Sequence, residues 1–341
     1  ELLIYNIPLA SWHPADSIAI LKLFAINSSS HYAKEILRAR TLITLPDPKR
    51  VIDILPDSPE FQNETTSEVL SLLDPDNLIR TKKYQPKLDF FNGFVNNRLA
   101  GASNSFAAND FRTATEGTLL ANDPHFKLSV PSQFYLAHLE LSSGGIIGGT
   151  IPGIPTVIAG RSPYIGWGIS ASYADDQDLY AEEINQNDDE RYKSLDGWKT
   201  FISKETVINI KGDNSKKIKL KWSENGPVLD KITSQISDIT PPNHEMAISW
   251  TVLTPKDTSM TALINLTYSK DIKTALNALE GHVAPSLNYT LIDKENIALQ
   301  LAGKLPKRGS DHNTRGRLPS FGYKEENRWR GYQSYDTNPR I

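Results

Sequence analysis

Residues 141–160, LSSGGIIGGTIPGIPTVIAG, run for twenty positions without a charge. A stretch of that polarity must leave water, either into a bilayer or into a protein core. Its length is that of a membrane span, but it holds six glycines and two prolines, which weaken or break a helix in several places. Irregular backbone is not tolerated against lipid, because its polar groups find no partner there. The stretch is therefore read as buried turns and short strands, with no membrane span. Composition supports a core of that kind: 39% of the 341 residues are apolar and 23% charged, which excludes wholesale disorder. Lys and Arg number 37 against 40 Asp and Glu, so no basic surface for nucleic acid is expected. The absence of cysteine removes disulfides, thiolate metal sites and a Cys nucleophile.

The flanks differ in character. Residues 14–39 read as one helix, with Pro14 suited to a first turn and the Ser28-Ser29-Ser30 run marking a bend. Between 46 and 101 six prolines punctuate a linker-like tract with one short helical pattern at 68–74. Beyond Asn104 strands are expected at 133–141, 156–160 and 178–184, and a hairpin from 205–212 and 216–222 around GDNS. A helix is expected over 258–281, and a second hairpin turns at Asp293–Asn296. The pattern is α+β with large antiparallel sheets, without βαβ alternation. The chain begins at Glu1 with no basic or apolar leader, and is expected to be a piece of a longer protein.

Taken residue by residue, the chemistry stays open. His125 in NDPHF is a lone histidine in a turn-rich segment, a pattern more often structural than catalytic. Asp175, Asp176 and Asp178 in YADDQDLY have spacing suited to a hard cation, though acidic loops are more often simply solvated. Ser103 in GASNSF lacks a GxSxG elbow, and no HExxH, P-loop or GxGxxG occurs.

The order of the segments says more. GASNSFAAND, LLANDPHFKLSVPSQFYLAHL and GGTIPGIPTVIAGRSPYIGWGISASYADDQDLYAE are followed by ENGPVLD, AISWTVLTPKDTS, APSLNYTLIDKENIALQLAGKLPKRG and RGRLPSFG. This series resembles the penicillin acylase family of N-terminal-nucleophile (Ntn) hydrolases, which includes acyl-homoserine lactone, cephalosporin and aculeacin acylases. The resemblance runs from Trp12 to the end and is weakest at 46–100. It implies an αββα four-layer sandwich, here incomplete at both ends. Residues 1–45 would be the last helical part of an α subunit, 46–102 a spacer, and 103–341 the first part of a β subunit, both subunits coming from one precursor.

By the same resemblance the precursor is cut between Ala102 and Ser103, and Ser103 is the nucleophile. An N-terminal serine carries its own base, an α-amine with a pKa of roughly 7.7–8.0, so no His-Asp pair is required. His125, 22 residues on, matches a residue that positions the nucleophile, and Ala171 matches the main-chain donor of the oxyanion hole. Ala25, Ser29 and Phe126 match the acyl pocket, where the small Ala25 and Ser29 imply more room. A structural Ca²⁺ is implied at Glu35, Asp175, the carbonyl of Gln177, Asp178 and the carbonyl of Pro306; no organic cofactor is.

The implied activity is hydrolysis of an amide between an acyl chain and an amine-bearing head group, in a periplasmic or secreted setting. His125 favours an acyl-homoserine lactone acylase over a β-lactam acylase, and a non-catalytic binding homologue is the reading from another class. Two departures stand out. Asn225 replaces the usual His before Gly-Pro, and the side-chain oxyanion Asn and a following Arg would lie beyond Ile341. Residues 1–341 by themselves are therefore expected to be inactive.

Overall fold

The computed structural model describes residues 10–29, 31–45, 50–51, 55, 67–73, 103–114, 116–125, 130–142, 144–231 and 236–341. Ala102, Phe126 and most of the tract 46–102 lie outside the described residues.

Where the sequence predicts one N-terminal helix, the chain forms two, α1 (Pro14–Ser28) and α2 (His31–Thr44). Asp16 accepts the N–H of His13 at 2.7 Å, satisfying a donor just ahead of the first turn. At Ser29 the backbone becomes extended (φ −116°, ψ 142°), so the serine run is a break and not a bend. The Ser29 hydroxyl donates to Asp176 Oδ1 at 2.8 Å, a tertiary bond that helps to hold the extended residue. The predicted helix over 258–281 is likewise two, α3 (Ser259–Thr267) and α4 (Ile272–Glu280). Asp271 caps α4, accepting the Thr274 N–H at 2.7 Å, and so restarts the helix in a new direction. The helical pattern at 68–74 amounts to one 3₁₀ turn, Leu70–Leu72.

The strands begin with a hairpin of β1 (Ser103–Ala108) and β2 (Leu119–Pro124). Next come β3 (Tyr135–Leu139), β4 (Ile146–Thr150), β5 (Ala159–Arg161) and β6 (Gly166–Ala171). The meander β7 (Gln177–Asn185), β8 (Asp188–Ser194) and β9 (Gly197–Thr200) precedes a three-stranded sheet of β10 (Ile202–Ile208), β11 (Lys216–Ser223) and β12 (Gly226–Pro227). β13 (His244–Trp250) returns to pair with β7. β14 (Leu287–Ile292) and β15 (Ile297–Ala302) complete a six-stranded sheet of order β15-β14-β6-β5-β4-β3. Last are β16 (Pro306–Arg308), β17 (Ser320–Phe321) and β18 (Trp329–Tyr332); β16 pairs with β18, and β17 lies parallel to β7.

The uncharged stretch supplies β4 and the turns into β5, and buries Ile146, Ile151, Ile154, Val157 and Ile158. Among the described residues no helix is long and apolar enough to cross a membrane.

Two cores form. In the first, Leu21 and Phe24 of α1 meet Trp167 and Ile169 of β6, Tyr289 and Leu291 of β14, and Leu266 and Leu279 of α3 and α4. Side chains alternate across a strand, so the even positions of β6 face the other way. These are Gly166, Gly168 and Ser170, and the β1–β2 hairpin lies on the two glycines. A Cβ at Gly168 would sit 2.6 Å from Ser105 Oγ and 3.1 Å from Asn122 Cβ, so close approach of the hairpin requires glycine there. The second core joins Ile36 and Ala39 of α2 to Leu179 and Ala181 of β7 and Met246 and Ile248 of β13. The helix break thus divides α1, which serves one core, from α2, which serves the other.

Asn225 has a clear place. Its side-chain N–H donates to Glu182 Oε1 at 2.9 Å and to the Gly322 carbonyl at 3.3 Å, and Ser223 donates to the same carboxylate oxygen at 2.5 Å. All of Glu182's hydrogen-bond partners in this buried group are neutral. Burial pushes the Glu182 carboxyl up to about 7, against the opposing pull of these two donors.

Candidate active site

Ser103 opens β1 directly opposite Pro124, the last residue of β2. What ties this hairpin to the sheet is Asn122. Its Nδ2 donates to the carbonyls of Asn104 (2.9 Å) and Ile169 (2.8 Å), and its Oδ1 accepts the Ile169 N–H at 3.1 Å. A carboxamide has the donor and acceptor of a peptide group, so Asn122 acts as a one-residue rung on the edge of β6. The edge is free for it because β5 pairs with β6 only as far as Trp167. Backbone N–H groups two residues apart on a strand point the same way, so the Ala171 N–H faces the edge that Asn122 holds and turns away from β14.

At that edge lies a cavity of about 40 Å³. Its walls include Ser103, His125, Ala171, Ser29, His31 and Asp176, which come from both sides of the helix break, the hairpin, β6 and the loop after it. The space admits a few waters and no bulky group. Ser103, His125 and Ala171, far apart in the sequence, are thus brought together, with Ser29 beside them. Ala25 is not in this wall: it is fully buried against Val252, Val283 and Ala284. Pro124 also borders a wide groove of about 1210 Å³ on the far side of the hairpin, lined by Leu119, Phe134, Leu136 and Ile147 among others.

The electrostatics of the walls differ from one residue to the next. His125 is exposed, and its Nε2 lies 2.6 Å from Asp123 Oδ2, which orients the ring. His31 is pushed down to about 3 by burial and by Lys34, Arg308 and Arg317, so it is a neutral imidazole at physiological pH. Asp176 is raised to about 6 by burial, opposed by hydrogen bonds from Ser29 and from Trp250 Nε1 (3.3 Å). Tyr173, in the same wall, has φ 53°, a left-handed conformation that non-glycine residues rarely adopt. His31 and Asn122 escape sequence reasoning, and Asp176, read there as part of a cation cluster, stands in the cavity wall. The serine run before His31 is the only trace the first two leave in the sequence.

Behind this wall lie the residues expected to ligate calcium. Asp178 is buried, and both its oxygens are bonded: Arg308 Nη2 at 2.6 Å and Nε at 3.0 Å to Oδ1, Nε at 3.0 Å and Trp329 Nε1 at 2.6 Å to Oδ2. The Gln177 carbonyl accepts from Arg308 Nη2 at 3.2 Å, and Asp175 Oδ1 stands 3.3 Å from the same nitrogen. Gln177 Oε1 instead accepts the Tyr32 N–H at the start of α2, at 2.8 Å. Glu35 accepts the Leu179 N–H at 3.3 Å, and the Pro306 carbonyl faces Gln333 Nε2 at 3.5 Å. A calcium ion takes about six to eight oxygens at roughly 2.3–2.6 Å. The oxygens of Asp178 and Gln177 meant for it face a guanidinium, and among the described residues no group of three or more His, Asp or Glu is arranged to hold a metal. The residues as they stand do not fit the ion.

The guanidinium sets the local charge states. Burial alone would raise the Asp178 carboxyl, but Arg308 and His312 together hold Asp178 below the ordinary range. Asp175 is raised to about 7 by burial, against the pull of Arg308. Glu35 is driven well above the usual range by burial and by Asp178 and Asp175.

Comparison with known proteins places this geometry. The family model for penicillin amidase matches residues 1–341. The acyl-homoserine lactone acylase QuiP of Pseudomonas aeruginosa is 28% identical over 237 residues, covering 68% of this chain and 28% of that protein. QuiP of Pseudomonas fluorescens (strain Pf0-1) is 24% identical over 96% of this chain and 40% of its own length. Penicillin acylase 2 proenzyme of Pseudomonas sp. (strain SE83) is 22% identical over 97% of this chain and 42% of that protein. The chain therefore spans less than half the length of these relatives. Among solved structures, a thermostable penicillin G acylase from Alcaligenes faecalis superposes with a TM-score of 0.61 at 22% identity, covering 70% of this chain and 41% of that one. The likeness shows the fold, the α+β architecture of that penicillin G acylase.

Proposed function

The chain belongs to the penicillin amidase family, and from that premise we propose that the full-length protein is an acylase whose nucleophile is Ser103. The observation that carries the reading is the meeting of Ser103, His125 and Ala171 around one cavity. Residues 1–45 then belong to the α subunit, 46–102 to an excised spacer and 103–341 to the β subunit.

The chemistry runs in two stages. In the precursor, Ser103 Oγ attacks the Ala102 carbonyl, the amide nitrogen leaves as the α-amine of Ser103, and water hydrolyses the resulting ester. In the processed protein that amine, working through a water, takes the proton of Ser103 Oγ as it attacks the substrate amide. The N–H of Ala171 receives the negative charge that develops on the carbonyl oxygen, and the proton passes to the departing amine. Water then cleaves the acyl ester. His125, held by Asp123, positions the serine. The QuiP relatives and His125 support an acyl-homoserine lactone as substrate.

The test uses the full-length precursor. Ser103→Ala should stay uncut by intact-mass analysis and release no amine from substrate; cleavage of that variant at the same bond overturns the assignment. Wild-type protein given long-chain acyl-homoserine lactones and penicillins should release amine chiefly from the lactones. The reverse order would make it a β-lactam acylase. Wild-type protein that stays uncut and is silent on both panels would be the non-catalytic, unprocessed binding homologue.

A further inference from the structure

We propose that Arg308 is the resident cation of the 175–178 loop, so that this protein fixes with a guanidinium what the resemblance assigns to calcium, and that removing the side chain creates a divalent-cation site. Arg308 forms a fork on Asp178 and reaches the Gln177 carbonyl and Asp175 with one nitrogen. A planar guanidinium with five donors can answer several oxygens at once and keeps its charge at any physiological pH.

Three further features are built around the pair. Gly316, at φ +74°, has no room for a Cβ, which would fall on Arg308 Nε and Asp178 Oδ1. A register shift in the β16–β18 ladder lies between Pro306 and Arg308, the kind of irregularity that re-aims a side chain. Trp329 donates to the Asp178 oxygen that accepts least from Arg308, and Tyr180, anchored on the Asn327 carbonyl at 2.8 Å, stands 3.5 Å from it. Asp178 is therefore satisfied by a monovalent, covalently attached cation, while Asp175 Oδ1 and Glu35 Oε1 stay buried without a hydrogen-bond donor. A divalent ion among the same oxygens would lie against the guanidinium, and like charges in so dry a place repel strongly. The loop so fixed also carries Tyr173, Ala174 and Asp176 to the wall of the Ser103 cavity.

Without the guanidinium, Asp175, Asp178, the Gln177 carbonyl and Glu35 would present hard oxygens to an empty space, which suits Ca²⁺ or its luminescent substitute Tb³⁺. The experiment compares full-length wild type, Arg308→Ala and Arg308→Lys in calcium and in EGTA, reading Tm and tryptophan-sensitised Tb³⁺ emission, for which Trp329 is the adjacent donor. Wild type should melt at the same temperature in both buffers and show no calcium-competed Tb³⁺ signal. Arg308→Ala should melt lower in EGTA by about 5 °C or more, recover with calcium, and bind one Tb³⁺ that calcium displaces. Arg308→Lys should be less stable than wild type yet still indifferent to calcium. A wild type that calcium stabilises and that binds Tb³⁺ overturns the proposal whether or not the variants fold. So does an Arg308→Ala protein that is destabilised but blind to calcium, or a lysine variant that gains a calcium site.

Discussion

The loop from Ser172 to Asp178 separates two unlike neighbourhoods. On one side Asp178 is buried with both oxygens bonded, held by Arg308 and Trp329. On the other side Ser103 is half-buried, His125 is exposed, and a small cavity opens between them. Asp176 and Asp178 are only two residues apart and equally buried, yet Asp176 is raised to about 6 while Asp178 is held below the ordinary range. A carboxyl's place in the sequence decides little here: burial acts to raise Asp175, Asp176 and Asp178 alike, and only Asp178, which takes the fork of Arg308, is brought below the ordinary range. The saturated side fixes geometry. The open side keeps polar groups available for a reacting molecule.

This contrast can be broken most severely at Asp178. In Asp178→Ala, Arg308 loses its fork and Trp329 its acceptor, and the buried guanidinium keeps only the Gln177 carbonyl and Asp175. A loss of about 3–5 kcal/mol is expected, read as a lower urea midpoint. A loss below about 1 kcal/mol would mean that the saturated side is no more rigid than the open one. The second blow falls on the open side. Asn122→Ala removes both side-chain bonds from the nucleophile hairpin to Ile169 of β6, and a third within the hairpin to Asn104, letting Ser103 drift from the Ala171 N–H. Displacements of that kind cost on the order of 10² in rate, so kcat or the rate of self-cleavage should fall far more than KM rises. An unchanged kcat would remove Asn122 from its positioning role.

The third prediction sharpens the contrast with a carboxyl that belongs to neither side. Glu182 is buried and hydrogen-bonded only by neutral groups, and its carboxyl is raised to about 7 from an ordinary 4.5. Between those values the folded state holds a proton that the unfolded chain has released, so stability is full below about pH 4.5 and declines as pH rises through 7. The decline contributed by this group is roughly 3 kcal/mol. Glu182→Gln should be flatter than wild type from pH 5 to 8 in urea unfolding; identical pH profiles would show that the carboxyl finds a compensating charge.

Much of this was legible in the sequence for reasons that can be named. Alternation and turn residues foretold the hairpins β10–β11 and β14–β15, because those signals are local. The charge-free glycine stretch resolved into strands because nothing else can bury it. Both helix mergers failed for one reason: Ser29 and Asp271 end or begin helices through bonds to Asp176 and to Thr274, and a pattern of apolar positions does not register such bonds. The site followed the same rule. The order of motifs pointed to Ser103, His125 and Ala171, but the rung made by Asn122 needs the register of β2 against β6. Arg308 went unseen because the expected contact in PKRG was the Pro306 carbonyl, and a register shift brings in the side chain two residues later. Ala25 sits in the core because the turn of α1 aims it at Val252 and Val283.

The glycine-paved face of β6 bears on how this region can drift over generations. A side chain at 168 would displace Ser105, and one at 166 would press on Leu120, both in the hairpin that carries Ser103. The two elements are separated by some forty residues yet form a single heritable unit. A chimera that takes β1–β2 from one relative and β6 from another joins surfaces that were never fitted to each other. Exchanges between relatives that move both together preserve the spacing on which the serine depends, whatever happens to the loops between them.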